Sequence, residues 1–430
     1  MPATTNKNNQ RYFFMLSTYK GLLMATVVPF ACSSMASGFI NDSKGSLTLE
    51  NYYFDRDYRE GPGQSQTQEW AQGLVLDMRS GFTEGPVGFG VDALGQLGFK
   101  LDSGPGRSGI GLLSVDAETG EPGESYGKFD VLGKARLSKT QFELGTKQVL
   151  APVARGMNVR LFPPLMRGAF LTSREIDDLT LQVTRIDAIK LRNSTNHEPM
   201  SISSPYRRFN GSATSDQFDI LGVDYQWNAG LATSYYHATL QDLYRQDYIS
   251  LLHTWALPQA KLVSDLRYFI SREDGAGEAG PVDNRTFSSM FTLSTQGHSI
   301  GLGYMALSGA TAMPYVAGTS PYVNTGGSQV SEFVNPGEKT WQFRYDYDFV
   351  ALGVPGLKFM WRYMDGRQLK LPIAKFEAEE SERDVELSYV IQSGSLRNLG
   401  IRLRNADYRA DFTRDIDETR VQIDYTLALW

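Results

Sequence analysis

Apolar and polar residues alternate along this chain with a period of two, most clearly in the run WQFRYDYDF at 341–349. Every odd position of that run is aromatic, and every even position is polar or charged. Because successive side chains of a β-strand point to opposite sides, such a strand has one aromatic face and one polar face. It therefore requires an apolar environment on one side and water on the other.

This alternation recurs along most of the chain and continues to its last residues. It is clear toward the C-terminal end, at 357–364, 385–392, 401–404 and 420–429. Noisier examples come earlier, at 70–78, 88–97, 134–144, 180–186, 218–227, 287–293 and 300–306. Clusters of Gly and Pro separate the runs and are typical of turns. The pattern predicts many strands joined by turns.

No stretch of the sequence approaches the roughly 20 consecutive apolar residues that a transmembrane helix needs. A chain without such helices can still cross a bilayer as a closed barrel, because closure pairs every backbone N–H and C=O group between strands. The expected signature is a series of alternating segments of about ten residues. The runs described above have this form.

Residues 1–36 differ from the rest of the chain, because they contain three basic residues, no acidic residue and an apolar run at 21–31. The residues at 34–36 are Ser, Met and Ala, and such small residues suit cleavage by signal peptidase. We predict that 1–36 is a secretory signal peptide. The only cysteine, Cys32, lies within it, so the mature chain would have no disulfide and no thiolate metal site. Lipidation of Cys32 is an alternative, which the preceding Pro-Phe-Ala sequence disfavours.

A soluble β-sandwich would also alternate, and it is the competing fold. Three features favour a membrane barrel: aromatic residues near strand ends, as in interfacial girdles; arginine on the polar face, which a water-filled lumen accommodates and a packed core does not; and the export signal. We predict an all-β fold, a transmembrane antiparallel β-barrel of about 18 strands, wide enough for an aqueous channel. Residues 37–430 would form this single domain.

The alternation breaks at about residue 147 and does not return before residue 168. The intervening segment mixes Pro and Gly with apolar residues, which does not suit a flexible, exposed loop. We expect 150–168 to fold into the barrel, bury its apolar residues on the wall and form a constriction with Arg155, Arg160 and Arg167 facing the lumen. The alternative is an external lid with these arginines in solvent.

Several motifs resemble those of the OprD-type porins, also called outer-membrane carboxylate channels. They cover about half of the chain clearly, mainly toward its two ends, and the segment 195–335 matches less well. The motifs are GFINDSK at 38–44, YFDRDYR at 53–59, WAQG at 70–73, SGFTEG at 80–85, GFGVDALG at 88–95, LDSG at 101–104, RLFP at 160–163, LTSRE at 171–175, ERD at 382–384, YVIQSG at 389–394, LRNA at 403–406 and DIDETR at 415–420. The resemblance implies a barrel of about 18 strands, a monomer or loose homotrimer, with a narrow waist and a ladder of basic residues that guides carboxylates.

The resemblance places the basic ladder on Arg404 and Arg420, and it places the arginine of the waist on Arg160. Alternation alone adds further arginines on polar strand faces, namely Arg344, Arg362 and Arg402. Asp346 and Asp348 share a strand face with Arg344, and we expect these lumen acids to complete the polarity of the lumen. Family members often carry Asp-x-Arg in the constricting loop, whereas this chain has Asn158 two residues before the arginine. The missing acid would leave the waist more positive, which disfavours cationic substrates.

These observations predict a channel for passive uptake of small carboxylate-bearing organic acids, with benzoate-like aromatic acids as the leading candidates. A guanidinium can hold a carboxylate through two hydrogen bonds, and a series of them lets an anion move stepwise. The alternative within this class is a channel for basic amino acids or small peptides. The expected partners are small organic anions and the lipid and lipopolysaccharide of the Gram-negative outer membrane.

Other classes of protein fit the sequence less well. The net charge of −6 disfavours a nucleic-acid binder. A barrel hydrolase of the outer membrane is a remote alternative, but there is no G-x-S-x-G motif, and His298 and Ser299 are neighbours that would point to opposite faces of a strand. We identify no cofactor motif and no set of metal ligands.

Overall fold

The structure is a computed structural model that describes residues 37–430. The predicted signal peptide, 1–36, lies outside the described residues. Eighteen antiparallel strands form one sheet, and β1 pairs with both β2 and β18, so the sheet closes on itself. The predicted all-β barrel of about 18 strands is confirmed.

The barrel strands are numbered here in chain order. They are β1 (Lys44–Tyr58), β2 (Gln66–Arg79), β3 (Val87–Asp102), β4 (Ser125–Leu137), β5 (Thr140–Lys147), β6 (Leu165–Ser173), β7 (Leu179–Lys190), β8 (Phe218–Asn228), β9 (Leu231–Leu240), β10 (Tyr244–Leu257), β11 (Ala260–Glu273), β12 (Asp283–Thr295), β13 (His298–Ser308), β14 (Lys339–Asp348), β15 (Leu357–Leu369), β16 (Ala378–Val390), β17 (Gly400–Ala410) and β18 (Ile416–Ala428).

The remaining elements are short. A five-residue helix, α1 (Ser37–Asn41), precedes β1, and 3₁₀ turns occur at Pro205–Arg207 and Phe349–Leu352. Within residues 37–430, no helix is long and apolar enough to cross a membrane. Two-residue ladders inside the connections pair Leu150–Ala151 with Ala154–Arg155 and Met200–Ser201 with Thr214–Ser215.

The two faces of the wall differ as the alternation predicts. On β14, Trp341 and Phe343 are 55% and 43% exposed, whereas Gln342 between them is 2% exposed. The exposed residues define an outer face that is rich in aromatic and aliphatic side chains. Because the inner face carries polar side chains that are nevertheless buried, other parts of the chain must cover it from inside the barrel.

The connections at the two ends of the barrel differ in length. At one end, here called the turn end, Ser138 and Lys139 alone join β4 to β5. The opposite end, here called the loop end, carries the four long connections 103–124, 148–164, 191–217 and 309–338. Apolar residues of these loops, such as Val153, Met313 and Phe333, form a buried cluster with inward-facing wall residues such as Phe269. The long loops therefore fill much of the interior.

Candidate functional site

The loop 148–164, here called the constriction loop, lies inside the barrel. Its residues Leu161 and Phe162 are 0% and 1% exposed, and they cluster with Tyr52 and Phe54 on the inner face of β1. Gly73 on β2 makes room for them, because a Cβ atom there would lie 3.0 Å from a Leu161 methyl carbon. The loop therefore folds inward, as the sequence predicted.

A carboxylate on the wall fixes a second loop behind the constriction loop. Glu69 of β2 is fully buried. Its oxygens accept hydrogen bonds from the backbone N–H groups of Gly109 at 2.7 Å, Leu112 at 2.9 Å and Leu113 at 3.0 Å. These residues belong to the loop 103–124. Arg160 then donates from Nε to the carbonyl oxygen of Ile110 in the same loop, at 2.9 Å. The position of Arg160 thus depends on Glu69.

The loop 309–338, here called the crossing loop, also lies in the lumen. On one wall, Glu382 of β16 accepts the backbone N–H groups of Gln329, Val330 and Ser331 at 2.6, 3.0 and 2.8 Å. Five strands away along the wall, Arg267 of β11 donates to the carbonyl oxygen of Tyr322 at 3.0 Å. The loop therefore spans the interior between two parts of the wall.

No role was predicted for the crossing loop, although its sequence carries a usable signal. Residues 309–338 lack alternation and mix Pro and Gly with apolar residues, as 148–164 does. A segment of this length and composition, with so many apolar residues, needs a surface to pack on. The composition that predicts an inward fold for 148–164 therefore predicts one for 309–338 as well.

The two lumenal loops meet at Arg155. Its carbonyl oxygen accepts the N–H group of Ser320 at 2.9 Å, and its guanidinium carbon lies 4.3 Å from the centroid of the Tyr322 ring. Arg267 lies over the same ring at 3.8 Å. Burial lowers the pKa of Arg155 from its usual value. Arg155 thus joins the constriction loop to the crossing loop.

Arg160 lies deeper, over the ring of Phe54, with its guanidinium carbon 4.8 Å from the ring centroid. Its Nη1 donates to the carbonyl oxygen of Val159 at 2.8 Å, and its Nη2 has no hydrogen-bond partner among residues 37–430. Burial first, and the nearby positive charge of Arg420 second, lower the pKa of Arg160 to about 9. The side chain therefore remains positively charged at neutral pH, with one N–H₂ group unused.

The five predicted wall arginines lie on one section of the barrel, from β14 to β18. In one cross-strand row, Arg344 pairs with Arg362, and Arg362 pairs with Asp384. In the next row toward the turn end, Glu386 pairs with Arg404, and Arg404 pairs with Arg420. Arg402 lies two residues from Arg404 on the same face of β17. We call Arg344, Arg362, Arg402, Arg404 and Arg420 the arginine strip.

Two members of the arginine strip are buried and support the crossing loop. The side chains of Arg362 and Arg420 are 4% and 3% exposed. Arg362 forms an ion pair with Asp384 and donates to the carbonyl oxygen of Gly327 at 2.9 Å. Arg420 similarly donates to Glu418 and to a crossing-loop carbonyl group. These two residues therefore position the loop.

The other three members of the arginine strip are accessible. The side chains of Arg344, Arg402 and Arg404 are 41%, 40% and 21% exposed. Arg404 donates to Glu386 at 2.8 Å, and Arg402 lies 3.5 Å from the same carboxylate. The Nε atom of Arg402 is buried without a hydrogen-bond partner. Glu386 thus serves two guanidiniums and leaves both with unused donors.

A cavity of about 740 Å³ adjoins these residues. Polar lining groups come from the arginine strip and from the tip of the crossing loop, including Arg344, Arg404, Glu386, Asn324 and Gln329. Ligand pockets in proteins commonly have volumes of about 300–1,000 Å³. The cavity is therefore large enough for a small organic acid.

The two predicted lumen acids both line this cavity. Asp346 forms a bidentate ion pair with Arg344, with both N–O distances 2.7 Å, so it balances that arginine directly. Asp348 lies at the turn end, where its Oδ1 accepts the N–H group of Val350 at 3.0 Å. Lys358 approaches Asp348 to 3.8 Å. Each acid thus lies beside a basic residue of the wall, Arg344 for Asp346 and Lys358 for Asp348.

Arg167 does not belong to the constriction loop, because β6 already begins at Leu165. Its guanidinium forms an ion pair with Asp187 at 2.7 Å, and both side chains are about half exposed. Asp187 lies on the same strand face as Val183 and Arg185, which are exposed on the outer wall. The predicted end of the loop, residue 168, lies too late in the chain, because the first residues of β6 do not alternate clearly.

A second cavity, of about 450 Å³, lies between the constriction loop and the wall from β1 to β6. Asn158, which is exposed, forms part of its lining. Its other polar lining includes the five carboxylates of Glu50, Asp77, Asp92, Asp130 and Glu143. The absence of an acid at position 158 therefore does not leave this side of the lumen without negative charge.

Three atoms facing this acidic region have no hydrogen-bond partner although they are buried: Glu50 Oε2, Gln96 Oε1 and Asp130 Oδ2. All three are hydrogen-bond acceptors. Four of the five carboxylates have a basic neighbour, for example Lys147 for Glu143. Within residues 37–430, no group of three or more His, Cys, Asp or Glu side chains has a geometry that could hold a metal ion.

Three residues of the site escaped the sequence analysis. Arg56 and Phe54 lie on the inner face of β1, and Glu418 of β18 lies fully buried beside them. The Arg56 guanidinium and Glu418 form an ion pair at 2.6 Å. The alternation of Tyr52 with Phe54 and Arg56 of the YFDRDYR motif could have placed all three on one inner face, but nothing in the sequence showed that Arg160 would stack there.

Comparisons with known proteins agree with this architecture. A family model described as "outer membrane porin, OprD family" matches residues 37–429. The porin-like protein GalP of Pseudomonas putida is 34% identical over 400 residues, which make up 92% of this chain and 94% of GalP. OccK9 (OpdG) of Pseudomonas aeruginosa has a solved structure that is 42% identical, covers 91% of this chain and 100% of its own, and gives a TM-score of 0.88. A structure of Pseudomonas aeruginosa OpdK with vanillate is 38% identical at the same coverage, with a TM-score of 0.86.

Proposed function

Because the chain belongs to the OprD family of outer membrane porins, we propose that it admits small carboxylate-bearing organic acids selectively and passively, guided by the arginine strip. The protein is a channel of the Gram-negative outer membrane and not an enzyme, so the hydrolase alternative falls away. Short turns of such barrels face the periplasm and long loops face the exterior. The turn end is therefore periplasmic, and the loop end is extracellular.

The observation that carries this proposal is the 740 Å³ cavity, whose lining includes the accessible guanidiniums of Arg344 and Arg404. Arg402 and Arg404 share the single carboxylate of Glu386, so their remaining donors are available to an arriving anion. A carboxylate can accept two parallel hydrogen bonds from such a group. Asp346 and Glu386 lie beside these arginines and weaken the binding of an anion. Weak binding is required, because an anion must be able to leave the channel as well as enter it.

An aromatic substrate is supported by the apolar part of the same lining. Met290 and Met360 face the cavity beside Arg344 and Arg362. A thioether side chain adapts its shape to a ring and contacts it favourably. One similar channel has been solved with vanillate, which is an aromatic acid. We therefore place benzoate-like acids first among the proposed substrates.

A second candidate, uptake of basic amino acids or small peptides, rests on the acidic cavity behind the constriction loop. The buried, unpartnered oxygens of Glu50 and Asp130 could accept hydrogen bonds from an ammonium group. A zwitterion could then place its carboxylate on the arginine strip and its ammonium group on the adjoining wall from β1 to β6. Simple carboxylates need only the first of these contacts and remain the leading proposal.

The test uses the purified channel in planar bilayers, with benzoate and its uncharged analogue benzamide as matched solutes. We expect benzoate at millimolar concentration to interrupt the ionic current and benzamide to have no such effect. Arginine and lysine serve as probes for the second candidate. Equal effects of benzoate and benzamide, or interruption by lysine alone, would contradict the leading proposal.

A further inference from the structure

The outer face of the barrel carries a cleft of about 800 Å³ at the extracellular end of β13, β14 and β15. Six of its lining side chains come from these strands: Tyr304, Lys339, Trp341, Asp365, Arg367 and Gln368. Glu377, just before β16, and Glu379, the second residue of β16, complete the lining. None of these residues contributes to the lumen described above.

The cleft lies at the level where the outer leaflet ends. Lys339 and Trp341 occupy the same strand face as Phe343, which is exposed on the lipid-facing wall. Lys339 is the first residue of β14, and Arg367 is two residues from the end of β15, so both lie next to extracellular loops. Charged residues just outside an apolar and aromatic band face lipid headgroups.

Two cations lie directly opposite each other in this cleft. Lys339 and Arg367 are cross-strand partners, and like charges in this arrangement destabilise a sheet. The side chain of Lys339 makes no hydrogen bond and no ion pair with any residue of 37–430. Arg367 bonds Asp365 at 2.7 Å, yet its side chain remains 62% exposed. An anion bound between the two cations would offset their repulsion.

The floor and rim of the cleft suit a sugar. The rings of Tyr304 and Trp341 lie 4.7 Å apart between centroids, and Trp341 is 55% exposed. Such amphipathic rings favour the membrane interface and offer flat apolar surfaces. A register shift between Gly366 and Leu369 bends β15 at this point, which opens the wall. Glu377 and Glu379 at the rim can accept hydrogen bonds from hydroxyl groups.

We propose that this cleft binds the phosphorylated saccharide headgroup of outer-leaflet lipopolysaccharide. A phosphate lies between Lys339 and Arg367, a sugar ring covers the Tyr304–Trp341 pair, and the acyl chains run down the apolar wall past Phe343. A glycerophospholipid could supply a phosphate but not the sugar ring. The two lipid classes are therefore distinguishable by experiment.

The test measures retention of bis-phosphorylated lipid A by the detergent-purified, full barrel in native mass spectrometry. The Lys339→Ala/Arg367→Ala variant should retain it at least tenfold less well than the parent protein, and Trp341→Ala should also lose affinity. The matched control is Arg245→Ala/Arg272→Ala, which removes another exposed cross-strand pair of cations that has Asp247 and Ile270 below it instead of two rings. This control should retain lipid A as the parent does.

Single-channel conductance in bilayers verifies that each variant is folded, because none of these residues lies in the lumen. The single substitution Lys339→Gln provides a milder test if the double variant does not fold. Equal losses in the cleft variant and its control would show diffuse attraction to charge and overturn the proposal. Equal retention of phosphatidylglycerol and lipid A, or unchanged retention in the cleft variants, would also overturn it.

Discussion

Arg160 of the constriction loop and Arg420 of β18 lie against the same aromatic ring, with their guanidinium carbons 4.8 and 4.7 Å from the centroid of Phe54. The loop arginine therefore joins the arginine strip and does not face it across the lumen. Glu418 offsets the repulsion, because it forms ion pairs with Arg56 and Arg420. Arg56, Arg160 and Arg420 thus form a cluster of cations around one ring and one carboxylate, where the constriction loop meets the wall.

The first prediction concerns this cluster. Arg160→Ala removes a guanidinium of the constriction loop that retains an unused N–H₂ group and lies beside the arginine strip, so anion selectivity should fall. We expect the permeating anion to lose about 1 kcal/mol of interaction free energy, which is less than one charge-assisted hydrogen bond contributes. This loss corresponds to a roughly fivefold lower anion-to-cation permeability ratio. Reversal potentials in a salt gradient measure this ratio. Arg245→Ala, on the outer face, is the control and should leave it unchanged.

The second prediction concerns the crossing loop. Glu382→Ala deprives three backbone N–H groups of their acceptor, at a cost of about 1–3 kcal/mol for each group left unsatisfied in a buried site. The loop should detach from β16, and single-channel conductance should rise to about twice its original value. Glu379→Ala alters an outer-face glutamate three residues away on the same strand and should leave conductance unchanged. A Glu382→Ala channel with parental conductance would show that the loop does not narrow the pore.

Features that depend on residues close together in the sequence were predictable, and features that depend on long-range packing were not. Alternation in runs such as 341–349 depends on neighbouring residues alone, so it predicted the barrel, its outer and inner faces, and the inward orientation of Arg344, Arg362 and Arg402. The stacking of Arg160 on Phe54 depends on how a loop packs after the barrel closes, and no local pattern encodes that. Arg167 was misplaced because the loop boundary, like most element boundaries, is weakly marked.

The crossing loop shows a different kind of failure. Its composition resembled that of the constriction loop, yet the carboxylates that hold it, such as Glu382 on β16, looked like ordinary inner-wall residues. Only the structure shows that Glu382 and Glu69 each bind a row of backbone N–H groups. Sequence alternation can place a carboxylate on the inner face, but it cannot identify its partner.

The third prediction concerns the seat of the constriction loop. At Gly73, a larger side chain would meet Leu161 and Phe162, since even a Cβ atom would approach them to 3.0–3.1 Å. Gly73→Leu should displace the loop and weaken both selectivity and the effect of benzoate on the current. At Gly95, by contrast, the nearest atom to an added Cβ would be 3.7 Å away, so Gly95→Ala serves as the tolerated control. Bilayer recordings on both variants make the comparison.

The fourth prediction concerns Glu386, which serves both Arg402 and Arg404. Glu386→Gln removes a negative charge from the cavity and leaves both guanidiniums freer, so a bound carboxylate should stay longer. A gain of about 1.4 kcal/mol would lengthen benzoate-induced current interruptions about tenfold. Ser381→Ala, on the outer face of the same strand, should not change them. Shorter interruptions in Glu386→Gln would mean that Glu386 helps to hold the substrate.

The lumen is proposed to conduct carboxylates in preference to cations. The zero-current potential in a sodium benzoate gradient measures this preference. The parent channel should give a potential whose sign is set by benzoate movement, and Arg402→Gln/Arg404→Gln should shift it toward the sodium value. The opposite result would be a parent potential with the sign set by sodium movement, unchanged by the double substitution. It would mean that the lumen does not favour carboxylates.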